Sequence, residues 1–70
     1  MRSLELMEKA TPMRDKRCVI TSIYDTDYTG ILVNIVFNDI TQVKLVLLMD
    51  DGSTKEFFFN KVKNIKLYEA

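Results

Sequence analysis

Along residues 43–59 two apolar runs, Val-Lys-Leu-Val-Leu-Leu-Met and Lys-Glu-Phe-Phe-Phe, flank the polar insert Asp50-Asp51-Gly52-Ser53-Thr54. Each run is too short to span a membrane and too rich in Val, Leu and Phe for a loop, so the pattern predicts a β-hairpin. Gly52 supplies freedom at positive φ, and Ser53 and Thr54 can bond locally while the chain reverses. Upstream, residues 18–24 are rich in β-branched types and read as a first strand, Asp25-Thr26-Asp27 as a turn, and residues 28–37 as a second strand. Strict alternation sets Ile31, Val33, Ile35 and Phe37 on one side of that strand and Leu32, Asn34 and Val36 on the other. Gly30 weakens the strand unless the backbone must bend or approach something closely there. Residues 38–42 form the next reversal, and after a brief turn beyond Phe59 a last strand carries Ile65 and Leu67 on one face.

Ahead of the strands, residues 3–10 are good helix formers, with Ser3 as N-cap and Leu4, Met7 and Leu6 sharing a face. Pro12 ends the helix, because the residue before a proline, here Thr11, is driven out of the α region. The fold class is therefore mostly β: a short N-terminal helix, then a five-stranded, strongly bent antiparallel sheet forming a small barrel. One domain covers residues 1–70, with the helix and its proline stop in 1–12 and the barrel in 18–68.

At 70 residues a single core supplies little stability, and help normally comes from disulfides, a metal or oligomerisation. Cys18 is the only cysteine and there is no histidine, which removes an internal disulfide and argues against a zinc site. Oligomerisation is what remains. The strands reinforce this expectation, since Leu45, Leu47 and Met49 alternate with Val46 and Leu48, and Phe57 and Phe59 with Phe58. Neighbours in a strand face opposite sides, so at least one large ring points away from the core. Leu48 and Phe58 are the candidate interface residues of a homo-oligomer or of a docked protein partner.

Ten basic and ten acidic residues cancel, which argues against strong non-specific binding to nucleic acid or to an anionic membrane. The first residues mix acids with apolar side chains and do not read as a secretory signal, and no apolar run has membrane-spanning length. With one unpaired cysteine, the expectation is a cytoplasmic protein without membrane contact. No enzymatic role is expected: no histidine can act as a base near neutral pH, Cys18 sits among apolar strand residues, and Gly30 and Gly52 make no phosphate-cradling loop. The pairs Asp25/Asp27 and Asp50/Asp51 read as turn residues, without the further oxygen ligands that a cation needs. No cofactor is expected. Lys61, Lys63 and Lys66, interleaved with Asn60, Asn64 and Tyr68, could serve nucleic acid as cations, amides and a stacking ring, or could be a solvated edge strand.

Three features resemble the Sm-like small β-barrel family: Gly30 early in the second strand, Asp39 followed by the apolar Leu45-Val46-Leu47, and the closing segment Glu-Phe-Phe-Phe-Asn-Lys-Val-Lys-Asn-Ile. The resemblance implies an oligomeric barrel that binds RNA through loop positions. In this chain those positions hold Asp39, Lys44, Asn60 and Lys61, with Lys63 beside them. Src-homology-type barrels share the strand order and remain open. Two functional expectations follow. One is a non-enzymatic module binding RNA through an oligomeric Sm-like barrel. The alternative is a protein–protein interaction module, such as a small regulatory or viral inhibitor subunit, using its exposed apolar strands.

Overall fold

The computed structural model describes residues 1–39 and 42–69, with Asn38 and Asp39 described by their backbone. In chain order the elements are α1 (Ser3–Ala10), a 3-10 turn (Thr11–Met13), β1 (Arg17–Ser22), β2 (Asp27–Asp39), β3 (Gln42–Met49), β4 (Thr54–Phe58), a second 3-10 turn (Phe59–Lys61) and β5 (Val62–Leu67). All five strands form one antiparallel sheet in the order β4-β3-β2-β1-β5. The mostly β class and the element order thus follow the reading of the sequence. Closure does not: β4 and β5 are the two edges, and the sheet is not a closed barrel. α1 instead packs on β3, β5 and the second 3-10 turn, so Leu6 and Ala10 fill space that closure would have filled with strand.

The core lies between α1 and one face of the sheet. Cys18 and Ile20 of β1, Leu32 of β2, Val43, Leu45 and Leu47 of β3, Phe57 of β4, and Val62 and Ile65 of β5 are all buried there. Tyr28 closes one end, its ring tilted against Phe57 at 5.1 Å, with Lys55 Nζ 4.9 Å above the Tyr28 ring. This edge lysine covers apolar surface with its stem while its charge stays exposed, and it also discourages the edge from pairing indiscriminately.

Strict alternation fails in β2. A bulge at Val33 shifts the pairing from Leu32 opposite Leu47 to Asn34 opposite Val46. One extra residue reverses the inward parity of everything beyond it. Leu32 therefore shares the core side with Ile35 and Phe37, while Ile31, Asn34 and Val36 face outward, which corrects the faces predicted above. Asn34 is suited to the position, because its Oδ1 accepts the N–H of Ile35 at 2.9 Å. Gly30 lies where β2 is paired on both sides, opposite Cys18 and Met49. A Cβ there would stand 2.4 Å from the carbonyl oxygen of Leu48, so the two backbones approach as closely as they do only because the side chain is missing.

Two hairpins share one turn design. In the β3–β4 turn the Gly52 N–H bonds the Met49 carbonyl at 3.0 Å, the Met49 N–H bonds the Ser53 carbonyl at 2.8 Å, and Gly52 has φ +88°. In the β1–β2 turn Asp25 donates to Ser22 O and Ser22 to Thr26 O, both at 2.9 Å, with Asp25 at φ +62°. Asp25 thus occupies the left-handed position that Gly52 fills in the other hairpin, one residue type that tolerates it standing in for the one that prefers it.

The helix start and stop also differ from expectation. The N-cap is Arg2, and Ser3 is the first helical residue. Inward of the helix are Leu6 and Ala10, one turn apart, while Leu4 is 52% exposed and does not share their face. Thr11 keeps helical angles (φ −51°, ψ −48°), and its hydroxyl donates to the Met7 carbonyl at 2.6 Å. Pro12 sits within the 3-10 turn that follows, and the chain leaves the helical region only at Arg14 (φ −60°, ψ +137°). A proline disfavours the helical region in its predecessor without forbidding it, and the added hydroxyl bond holds Thr11 there.

Asp15, at φ +66°, follows Arg14 in a turn closed by the Lys16 N–H on the Met13 carbonyl at 3.1 Å. That arrangement asks for glycine at its third position. Asp15→Gly is expected to raise stability by about 0.5–1 kcal/mol, read as a higher urea midpoint at unchanged slope.

Candidate binding surfaces

The candidate site residues separate into two places. Lys44 lies on the outward face of β3 with Val46 and Leu48, and it is paired across the ladder with Phe58 of β4. Its Nζ is 2.8 Å from Glu56 Oε2 and 5.8 Å above the Phe58 ring. Phe58 is 52% exposed, while Phe57 faces the core. The outward side of the central strands is therefore an apolar strip, formed by Ile31 and Val36 of β2, Val46 and Leu48 of β3 and Phe58 of β4, with the Lys44–Glu56 pair set in it. α1 is on the other side of the sheet and covers none of it.

The second place is the tip of the β1–β2 hairpin. Lys61 Nζ stands 5.9 Å above the ring of Tyr24, which is 73% exposed, and the Lys61 carbonyl accepts the Ile23 N–H at 3.1 Å. Lys63 forms an ion pair with Asp25. Asn60, exposed, precedes Lys61 in the second 3-10 turn. The hairpin tip thus brings Lys61 over Tyr24 and Lys63 to Asp25, with Asn60 next to Lys61 along the chain; for Tyr24 the sequence offered only its place next to a turn. Lys66 is away from this group, paired with Val19 on β1. Asp39 ends β2, and its side chain lies outside the described residues.

Electrostatically, the surface is matched rather than basic. Besides the Lys44–Glu56 and Lys63–Asp25 pairs, Arg17 contacts Asp50 at 2.9 Å and stacks 4.9 Å above Tyr68, and Lys9 donates to Asn64 Oδ1 at 2.7 Å. All are exposed enough to contribute little to stability, but the three ion pairs each neutralise a cation that a polyanion would otherwise meet, whereas the Asn64 amide leaves the charge of Lys9 in place. The aspartate pairs are similarly occupied. Asp27 accepts from the Thr21 hydroxyl at 2.7 Å, and Asp51 accepts from the backbone N–H and hydroxyl of Ser53 at 2.9 and 2.5 Å. The Ser53 bonds hold the Asp51 carboxyl below its ordinary range. Its contribution to the turn is present above the usual carboxylate range and is lost as the pH falls through the lowered value. Among the described residues no group of three His, Cys, Asp or Glu side chains could hold a metal ion.

Cys18 is buried on the core side of β1, its Sγ donating to the Lys16 carbonyl at 3.2 Å. Burial pushes its thiol above the ordinary value, with a hydrogen bond to the Leu32 backbone opposing this. A shielded, protonated thiol is a poor nucleophile, and the residue acts as a small apolar filler. Among the described residues no helix is long and apolar enough to cross a membrane.

No family model matches the chain, and neither does any curated protein or solved structure.

Proposed function

We propose that the protein is a non-enzymatic binding module, working as one subunit of an Sm-like assembly whose first task is protein–protein association in the cytoplasm. The observation that carries this reading is the uncovered apolar strip around Leu48 and Phe58, on the side of the sheet that α1 does not reach. A monomer that leaves a phenyl ring and neighbouring branched side chains in water carries a liability that a partner removes. Two short edge strands, β4 and β5, offer unpaired backbone groups in addition. The Sm-like part of the reading is supported by the strand order, the leading helix, the single 3-10 turn between β4 and β5, and the close approach at Gly30. A Src-homology-type barrel would share these features. The unpaired, buried Cys18 suits a reducing compartment.

The test is molar mass in solution by light scattering, with and without nuclease treatment. The expected result is a defined multiple of the chain mass that nuclease does not change, and a shift toward the single chain in Phe58→Asp. A wild-type protein that remains a single chain at high concentration and retains no protein partner rules the reading out.

A second reading, RNA binding by the assembled form, is favoured by one observation: Lys61 poised over the exposed Tyr24 ring next to Asn60, a cation, a stacking platform and an amide in one place. The matched charges rank it second. If it holds, labelled single-stranded RNA binds with a salt-dependent affinity, and Lys61→Glu weakens it about tenfold at low salt. Absence of binding at low salt excludes it.

A further inference from the structure

The core side of β2 runs on past its supporting strands. β1 pairs with β2 only as far as Ile31, and β4 pairs with β3 only from Lys44 onward, so at Phe37 the sheet has narrowed to β2 and β3. Beyond that point α1 and the first 3-10 turn leave a groove of about 630 Å³, floored by Met7, Pro12, Ile35 and Phe37. Phe37 is 55% exposed there although it lies on the core side of its strand. Glu8 and Arg14 also line the groove, and neither pairs with another charge among the described residues.

Phe58 presents a matching set of groups. Its ring projects from the edge strand on the opposite side of the sheet, with one base, Lys44, above it and one acid, Glu56, holding that base. A groove with an apolar floor, one free acid and one free base is complementary to an apolar ring flanked by one base and one acid. We propose that this groove is the receptor for Phe58 of a second copy of the chain, with Glu8 opposing the second copy's lysine and Arg14 its glutamate. The proposal rests on the self-association reading above and specifies its contact. Because groove and ring are different patches of one molecule, the contact is head to tail and every subunit offers one of each. It builds a ring where the rotation closes and a filament where it does not.

The test is sedimentation velocity on the full chain with two variants. Phe58→Asp keeps the groove and loses the ring; Phe37→Asp keeps the ring and spoils the groove. Each alone is expected to sediment as a single chain, and their equimolar mixture as a dimer and nothing larger, since one intact groove meets one intact ring and no second pair is left. Adding Glu8→Lys to the Phe58→Asp chain weakens the mixed dimer about tenfold by setting like charges together. Both aromatic positions are more than half exposed, so neither change removes a core contact. Phe37→Ser and Phe58→Ser repeat the mixing should either aspartate variant unfold. A mixture of folded variants that stays monomeric while the wild type associates overturns the proposal. So does association that persists in both single variants, which would assign assembly to the strand edges and leave the groove to another ligand. A wild type that never associates removes the self-association reading itself.

Discussion

Gly30→Ala is expected to destabilise the fold by about 3 kcal/mol, the upper end of what overpacking costs, because the atom opposing the new methyl is backbone. The added Cβ would stand 2.4 Å from the Leu48 carbonyl oxygen and 3.0 Å from Leu47 Cγ. A side chain could rotate away from such a contact, but the Leu48 carbonyl belongs to the β3 ladder, and moving it breaks the register that keeps Leu47 inside. Gly30 is also flanked on both sides by paired strands, so relief on one side is compression on the other. In a domain of this size 3 kcal/mol corresponds to a fall in melting temperature of roughly 15 °C, and calorimetry reads it directly. A change below about 1 kcal/mol would mean that the approach of β2 to β3 relaxes freely and that the glycine has another cause.

Leu6→Ala is expected to cost a similar amount, about 3 kcal/mol, for a different reason. Leu6 is fully buried, and truncation removes its transfer energy and leaves a cavity against the sheet. The loss does not stay local. A helix of eight residues has no standing of its own in water and persists because Leu6 and Ala10 hold it to the sheet. The far-ultraviolet signal of helix should therefore fall in the variant before the strands melt. Leu4→Ala is the control: its side chain is half exposed, and the same truncation there should change stability by less than about 0.5 kcal/mol. Equal costs at the two positions would mean that the helix is held by its other contacts.

Much of the architecture was legible in the residue pattern because its signals are local. Val, Leu and Phe runs interrupted by Asp51-Gly52 give a hairpin through backbone preference alone, and the observed turn has Gly52 in the left-handed region as required. Gly30 announced a close approach. What stayed hidden depends on partners distant in sequence. The bulge at Val33 has no marker in residues 31–37, all of which but Asn34 are apolar, and only pairing with β3 decides which half turns inward. Closure was equally unreadable: five short strands can curl onto themselves or stop at an open sheet, and the choice belongs to α1, which fills the opening from one side. For the binding surfaces, Phe58 was readable as an outward ring because three consecutive phenylalanines cannot share a face. The neutralisation of Lys44 and Lys63 by Glu56 and Asp25 was not, since one acid comes from the neighbouring strand and the other from a turn that lies 38 residues away along the chain. Neither Tyr24 nor Phe37 carries a sign of a binding role in the sequence, for opposite reasons: the first is one aromatic before a turn, the second an apolar strand residue for which burial is the default.

The extra residue at Val33 has a further consequence for anyone laying this chain beside another. Two related sheets with and without the bulge would agree in apolar spacing up to Leu32 and fall out of step by one place after it. An alignment without a gap would equate inward with outward positions from Asn34 to the end of the strand, so kinship would look weakest along the segment that lines the groove.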